Sequence, residues 1–148
     1  MPGLVVRVTL AALFAALIAG CGGNGGGDTS DTGGSDRPSV RVAVVTDVGG
    51  LNDRGFNALA NVGLRRAEDK LGIEGRVFIS KSASDYVPNL STAAREGFDL
   101  VIGNGFLMGD ALAAVAKRFP KTKFAIIDFP WVALKGKPNN ARGLLFSE

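Results

Sequence analysis

The feature that most constrains the fold is an alternation of short apolar segments with longer amphipathic ones, which begins at Ser39. Five short runs rich in valine, isoleucine and leucine predict strands over residues 40–45, 76–80, 99–103, 123–128 and 141–146. Apolar residues at three- and four-residue spacing predict helices over residues 56–71, 85–97 and 108–119. This alternation indicates βαβ crossovers. We therefore predict an α/β fold whose parallel sheet is covered on both faces.

The segment that precedes this lobe has a different composition. A twelve-residue apolar stretch from Val8 to Ala19 is too short to span a bilayer and is typical of a signal-peptide core. Residues 17–21, LIAGC, resemble the lipobox of bacterial lipoproteins, in which the chain is cut before a cysteine that carries diacylglycerol. The alternative is an ordinary signal peptide with a chance cysteine. On the lipobox interpretation Cys21 is the lipidation site.

Three regions follow from this pattern. Residues 1–21 are predicted to be a lipoprotein signal peptide that ends at Cys21. Residues 22–38, rich in glycine, serine and aspartate, are predicted to be a flexible tether, because they cannot bury enough apolar surface to fold. Residues 39–148 are predicted to be the α/β ligand-binding lobe.

Composition excludes several classes of site. The chain has no histidine and a single cysteine, which removes Ser-His-Asp and Cys-His nucleophilic sites, His/Cys metal sites and internal disulfides. We predict no metal and no cofactor. The residues after Cys21 carry 16 basic and 14 acidic side chains, a net charge of +2. The basic residues are spread along the sequence without aromatic interleaving, so we predict no nucleic-acid partner.

Polar residues follow the predicted strands at their carboxyl ends, where open α/β sheets bind ligands. The rim is expected to collect eight such residues, namely Asp47, Asn52, Asp53, Phe56, Asn57, Asn104, Phe106 and Asp128. An acid at the end of a strand is also common turn chemistry. Two such acids, Asp47 and Asp128, beside aromatics on one rim favour a site.

A phosphate ligand does not fit this rim. Residues 50–55 have the glycine spacing of a P-loop, but the following residues are Phe56 and Asn57 where Lys and Ser or Thr are required. Asp47 and Asp53 would also repel an anion. Carboxylates, amides and an aromatic ring suit a neutral, flat, hydroxylated ligand such as a nucleoside or some sugars.

Four motifs in the sequence resemble those of a known protein family. T-D-x-G-G-x-x-D-x-x-F-N (residues 46–57), D-Y-x-P-N-L (85–90), G-x-G-F (103–106) and F-A-I-I-D (124–128) resemble the basic membrane protein family. Its members are lipoproteins similar to the purine nucleoside receptor of spirochaetes, and they serve as substrate-binding components of ABC transporters. The resemblance implies a type I periplasmic-binding-protein fold, a nucleoside ligand, an ABC permease partner, and anchoring on the extracytoplasmic face of the cell membrane.

The resemblance also implies roles for individual residues. Phe56 would stack on the purine and Asn57 would hydrogen-bond to the edge of the base. Asp47 and Asp128 would hold polar groups of the ligand, and Gly105 and Phe106 would form the adjacent wall. The sequence departs from the family at Gly55, where members have a small polar residue.

The residues themselves suggest other roles for some positions. Phe56 could be simply the first core residue of its helix. Asp53 is predicted to cap that helix, Gly63 to bring it close to the sheet, and Tyr86 to pack or cap.

Three functions remain open at this stage. The first is a lipid-anchored nucleoside-binding component of a transporter. The second is an enzyme acting on a nucleoside or sugar with Asp47 and Asp128 as an acid/base pair. The third is a surface lipoprotein for partner contact. Because the family has two lobes and these residues match the first, we expect an incomplete fold, no enzymatic activity, and weak nucleoside binding by this lobe alone.

Overall fold

The computed structural model describes residues 39–146, which form a parallel five-stranded sheet and three α-helices. The strands are β1 (Arg41–Val45), β2 (Glu74–Phe78), β3 (Leu100–Asn104), β4 (Lys123–Ile127) and β5 (Ala141–Leu144), and the helices are α1 (Phe56–Leu71), α2 (Tyr86–Arg95) and α3 (Gly109–Arg118). The strand order is β2-β1-β3-β4-β5. The predicted α/β class and parallel sheet are thus confirmed. Cys21, the predicted signal peptide and the tether lie outside the described residues.

β2 begins and ends two residues before the strand that the apolar residues predict, residues 76–80. Its pairing with β1 begins where Glu74 lies opposite Arg41 and ends where Phe78 lies opposite Val45. Ile79, which the sequence pattern included in the strand, is half exposed beyond that point. The position of β2 is therefore set by its register with β1.

Successive side chains of the central strand face opposite layers. Ala43 and Val45 point into the larger core, which α2 and α3 cover, while Val42 and Val44 point toward Leu64 of α1. The larger core also contains the fully buried Leu90, Val101, Leu112, Phe124 and Ile126. This continuous burial explains why β1 is apolar at every position from Val42 to Val45.

Within residues 39–146, one face of the sheet is covered only in part. The chain moves across the sheet in one direction from β1 to β2 and in the opposite direction from β2 to β4. Right-handed crossovers therefore put α1 on one face of the sheet and α2 and α3 on the other. On the α1 face, no described residue covers the sheet beside α1. An apolar groove of about 650 Å³ lies there, lined among others by Val44, Leu64, Ile102, Ile127 and Leu144.

The ends and faces of α1 follow from its sequence, with one exception. Gly72 ends the helix in the left-handed conformation (φ 65°), and its N–H donates to the carbonyl of Glu68 at 3.0 Å, as the predicted stop requires. Gly63 does not bring the helix to the sheet. It is exposed, and a Cβ atom built on it would meet nothing within 4 Å. The neighbouring Leu64 makes the contact with the sheet instead.

No helix within residues 39–146 has the length and apolarity that crossing a membrane requires.

Candidate functional site

The predicted rim lies where the chain direction reverses across the sheet. β1 and β3 are neighbours, but the chain leaves β1 toward β2 on one side and leaves β3 toward β4 on the other. Open α/β sheets bind ligands outside the strand ends at such a point. Thr46 and Asp47 follow β1 there, and Asn104 and Gly105 end β3. The structure therefore brings the predicted rim residues of these two strands together.

Asp47 is held in one orientation by its neighbours. Its Oδ1 atom accepts hydrogen bonds from the phenolic hydroxyl of Tyr86 and, at 2.6 Å, from the backbone N–H of Val48. Tyr86 is buried, and this burial, together with the adjacent carboxylate, raises the pKa of its hydroxyl to about 12. Tyr86 therefore remains a hydrogen-bond donor to Asp47 at neutral pH.

Asn57 joins the ends of β1 and β3 from the first turn of α1. Its side-chain oxygen accepts hydrogen bonds from the Asp47 N–H at 3.0 Å and from the Asn104 side-chain amide at 2.8 Å. Its side-chain nitrogen donates to the Asp47 carbonyl at 3.3 Å. Asn57 is 2% exposed, so its amide lies inside the lobe. This placement does not match the predicted contact with a base edge and gives Asn57 the role of positioning Asp47.

Asn104 was predicted to lie on the rim, but it was not among the residues given a role in ligand binding. It is buried, and its side-chain oxygen has no hydrogen-bond partner among the described residues. The apolar groove is lined by Asn104 near the rim and by hydrophobic side chains elsewhere. A polar residue at the end of the apolar run LVIGN was the available signal in the sequence.

The backbone at Gly105 approaches Asp47 more closely than a side chain would permit. Gly105 has φ 114°, and a Cβ atom there would lie 2.7 Å from Oδ2 of Asp47. Only glycine fits both this conformation and this distance. Gly105 thus lies beside Asp47, next to the oxygen that does not accept the Tyr86 hydroxyl.

Asp53 orders the loop between β1 and α1. Its carboxylate accepts backbone N–H groups of Gly55 (3.0 Å), Asn57 (2.8 Å) and Ala58 (3.1 Å). These hydrogen bonds lower the pKa of the Asp53 carboxyl. The predicted capping role of Asp53 is confirmed, although the residue directly before the helix is Gly55.

Two large aromatic side chains stand exposed at the rim. Phe56 opens α1 and is 49% exposed, and Phe106 follows β3 and is 58% exposed. Phe56 contacts Phe146 edge to face, with ring centroids 5.8 Å apart. Phe56 also lines the apolar groove, so within residues 39–146 it is a partly exposed residue at the end of that groove. Both rings are accessible for stacking on a flat ligand.

Asp128 lies on the same edge but outside the Asp47 cluster. It follows β4, and β3 separates it from β1. Its backbone has φ 62°, and its N–H donates to the Leu144 carbonyl at 2.8 Å. Gly105 lies between the two acids, since its N–H donates to the Ile127 carbonyl at 3.3 Å. Asp128 is half-buried and belongs to the rim as an outlying acceptor.

The assembled rim is rich in hydrogen-bond acceptors and aromatic surface. Within residues 39–146 there is no group of three or more acids that could hold a metal ion. The acceptors Asp47 and Asp128 can bind hydroxyl and amino groups, while Phe56 and Phe106 offer ring faces. This arrangement suits reversible binding of a neutral, partly aromatic molecule.

Comparison with protein families places the lobe among transport proteins. The family model described as "ABC transporter substrate-binding protein PnrA-like" matches residues 40–135. The "ABC transporter nucleoside-binding protein BmpA" of Lactococcus lactis is 40% identical over 129 residues, which cover 84% of this chain and 36% of the relative. An uncharacterized lipoprotein of Pyrococcus horikoshii is 37% identical over 137 residues, or 92% of this chain and 32% of that protein. The chain therefore spans about a third of the length of these relatives.

Solved structures agree with the family match. A solute-binding protein of an ABC transporter system from Aeropyrum pernix superposes with a TM-score of 0.65 and 35% identity, over 72% of this chain and 28% of that one. A second solute-binding protein, from Conexibacter woesei, gives a TM-score of 0.60 and 27% identity, over 72% of this chain and 35% of that one. In both cases the present lobe corresponds to a part of a longer chain.

Proposed function

This chain belongs to the family of PnrA-like ABC transporter substrate-binding proteins, and from this we propose that it captures a nucleoside at the rim of Asp47, Gly105, Phe56 and Phe106. The observation that carries the proposal is the fixed Asp47 carboxylate, whose Oδ2 atom lies beside the Gly105 backbone. A preoriented carboxylate suits ribose hydroxyls, which donate hydrogen bonds, and the exposed rings suit a purine face.

The same rim disfavours a negatively charged ligand such as a nucleotide. Asp47, Asp53 and Asp128 all lie on the carboxyl edge of the sheet, and a nucleotide phosphate placed there would meet their negative charge. The relative from Lactococcus is named as a nucleoside-binding protein, which supports the neutral ligand. Since the family consists of substrate-binding proteins, binding is favoured over the alternative of a nucleoside- or sugar-processing enzyme.

The proposal includes a lipid anchor on Cys21 and delivery of the ligand to an ABC permease. The lipobox-like sequence before Cys21 and the 17-residue tether after it support an anchor on the extracytoplasmic face of the membrane. The relative from Pyrococcus is named a lipoprotein. An anchored lobe would keep captured nucleoside close to the permease.

A nucleoside titration followed by backbone amide NMR tests the binding site. We expect adenosine, guanosine or inosine to shift the amides that follow β1 and β3, and the matching 5′-monophosphate to shift them less at equal concentration. Asp47→Asn should weaken the effect. Asp99→Asn removes an acid at the opposite edge of the sheet and is the matched control. Shifts scattered over the surface, or an unchanged response of D47N, would contradict the proposed site.

The expected affinity of this lobe is low. The resemblance implies a second lobe that closes over the ligand, and the chain spans about a third of its relatives. A rim open on one side buries far less of the ligand than a closed cleft, so millimolar binding is the expected range. Micromolar binding by this chain would mean that the rim alone supplies the main contacts.

A further inference from the structure

The second half of the lobe carries a strong charge asymmetry. Residues 39–110 contain eight basic and nine acidic side chains, whereas residues 111–146 contain seven basic side chains and one acid, Asp128. All seven basic residues are exposed. They are Lys117, Arg118, Lys121, Lys123, Lys135, Lys137 and Arg142, and we call the surface that they form the basic edge.

The fold gathers these residues, although the sequence suggested that the basic residues are dispersed. The Asn140 side-chain nitrogen lies 2.8–3.0 Å from the carbonyl oxygens of Ala116, Phe119 and Thr122, which fastens the segment before β5 to the end of α3. The Lys117 Nζ atom lies against Gly136, the residue between Lys135 and Lys137. Residues 117–123 and residues 135–142 thus meet at one surface.

Within residues 39–146, no ion pair neutralises a residue of the basic edge. The three ion pairs found among residues 39–146 involve Arg41, Arg65 and Arg76, and none includes a residue of this surface. Asp99 directly precedes β3, and its carboxylate accepts the backbone N–H of Arg41 at 2.8 Å. Lys137 lies over the Trp131 ring, 5.5 Å from its centroid, which leaves its charge in place. Seven cations outside the ion pairs of residues 39–146 create a field that favours an extended anionic partner.

The basic edge lies at the end of the sheet where the tether enters. All five strands are parallel, so β1, β4 and β5 begin at the same edge. β1 starts at Arg41, directly after the tether that ends at residue 38. The ligand rim lies at the opposite edge, about 15 Å away along the strands. The basic edge therefore lies at the same edge of the sheet as the start of β1, opposite the ligand rim.

We propose that the basic edge is a docking surface for the anionic phospholipid headgroups of the bilayer that holds the Cys21 lipid. Docking there directs the ligand rim away from the membrane surface. This inference rests on the lipid anchor in the proposed function and is independent of the nucleoside. If residues 22–38 are the flexible tether that the sequence predicts, its root-mean-square span would be roughly 20–25 Å, and the anchor would keep the basic edge within reach of the headgroups.

Vesicle sedimentation tests this surface without the anchor. The chain from residue 21 onward, carrying Cys21→Ser, is mixed with vesicles of an equal mixture of phosphatidylglycerol and phosphatidylcholine, or of phosphatidylcholine alone. The triple variant Lys121→Gln, Lys123→Gln, Lys135→Gln is compared with Arg66→Gln, Lys70→Gln, Lys81→Gln, which removes the same charge from exposed positions elsewhere. Circular dichroism verifies the fold of each chain.

We expect binding to the anionic vesicles alone and a loss of roughly 100-fold in the first triple variant, since each basic residue near an anionic leaflet contributes about fivefold. The second triple variant should lose far less. Equal losses would mean that net charge alone drives binding, and would overturn the docking surface. No binding to anionic vesicles, or binding to duplex DNA instead, would also overturn it.

The anchor is tested separately by the mass of the chain purified from membranes. A chain without lipid that still binds anionic vesicles would retain the docking surface and contradict the anchor. The nucleoside titration tests neither the docking surface nor the lipid anchor.

Discussion

Tyr86 donates its phenolic hydrogen to Asp47, so that a residue at the start of α2 orients the carboxylate that follows β1. The ring is buried while the carboxylate is part-exposed at the rim. Burial is the larger cause and the neighbouring negative charge the smaller one that disfavour the ionised form of Tyr86. Together they raise the pKa of Tyr86 to about 12. The hydrogen bond therefore links the core of the lobe to its candidate binding surface.

The titration of Tyr86 should report this hydrogen bond directly. Tyr86 is the only tyrosine, so ultraviolet difference absorbance of tyrosinate follows it alone. We expect a native midpoint at about 12 and, in denaturant, a midpoint near the ordinary value of about 10.

The folded pKa of Tyr86 is raised, so its stabilising contribution is complete below the unfolded pKa and is lost as pH rises from about 10 through about 12. Tyr86→Phe should lack this component of the decline in unfolding free energy. A native midpoint near 10 would contradict the hydrogen bond.

Asn57→Ala should destabilise the lobe by about 2–4 kcal/mol. The change leaves the Asp47 N–H and the Asn104 amide without their acceptor, and an unpaired buried polar group costs about 1–3 kcal/mol. Asn61→Ala, in the same helix but with only a long 3.4 Å hydrogen bond from Arg65, is the control and should cost less than about 1 kcal/mol. Urea unfolding measures both, and similar losses would show that the Asn57 network contributes little.

The sequence predicted the sheet and its rim but not the hydrogen bonds inside the rim. The periodicity that predicts strands and helices is a property of short sequence segments. Parallel strands bring their carboxyl ends to one edge of the sheet, whichever side chains they carry. The bond from Tyr86 to Asp47 spans 39 residues and that from Asn104 to Asn57 spans 47. Partners at such distances depend on the register of β1 with its neighbours, which no local pattern contains.

Surface features were predicted less well for the same reason. The basic edge combines residues 117–123 with residues 135–142, and Asn140 fastens the second segment to the end of α3. The uncovered part of the sheet depends on the direction of each crossover. Gly63 was expected to bring α1 close to the sheet, but it lines the apolar groove beside the sheet and is exposed there.

Gly63→Ala should stabilise the lobe by about 0.5–1 kcal/mol. The residue lies inside α1, nothing lies within 4 Å of the added Cβ, and alanine loses less backbone entropy than glycine on folding. Gly75→Ala should have the opposite effect, since its Cβ would lie 2.8 Å from Glu68 Oε1 and 2.9 Å from Leu64 Cγ. Thermal unfolding of the two variants provides the comparison, and a destabilised G63A would mean that α1 packs more closely than described.

Two leucines five positions apart in α1 should differ in their effect on stability. Leu64 is 4% exposed and contacts the sheet, so Leu64→Ala should cost about 2–4 kcal/mol. Leu59 is 70% exposed, and Leu59→Ala should change the unfolding free energy by less than about 0.5 kcal/mol. A large loss at Leu59 would reveal a covering partner on that side of α1, which urea unfolding at several protein concentrations would identify as a second copy of the chain.

Phe56→Leu should weaken nucleoside binding by roughly three- to tenfold, because stacking of an aromatic pair contributes about 0.5–1.5 kcal/mol beyond area burial. The ring is 49% exposed, so stability should change little. Its contact with Phe146 offers a control, since Phe146→Leu removes the neighbouring ring and leaves Phe56 at the rim. The NMR titration should therefore separate the two variants. Equal weakening in both would assign the effect to packing between the two rings, and no weakening in F56L would remove Phe56 from the site and leave Phe106 as the stacking surface.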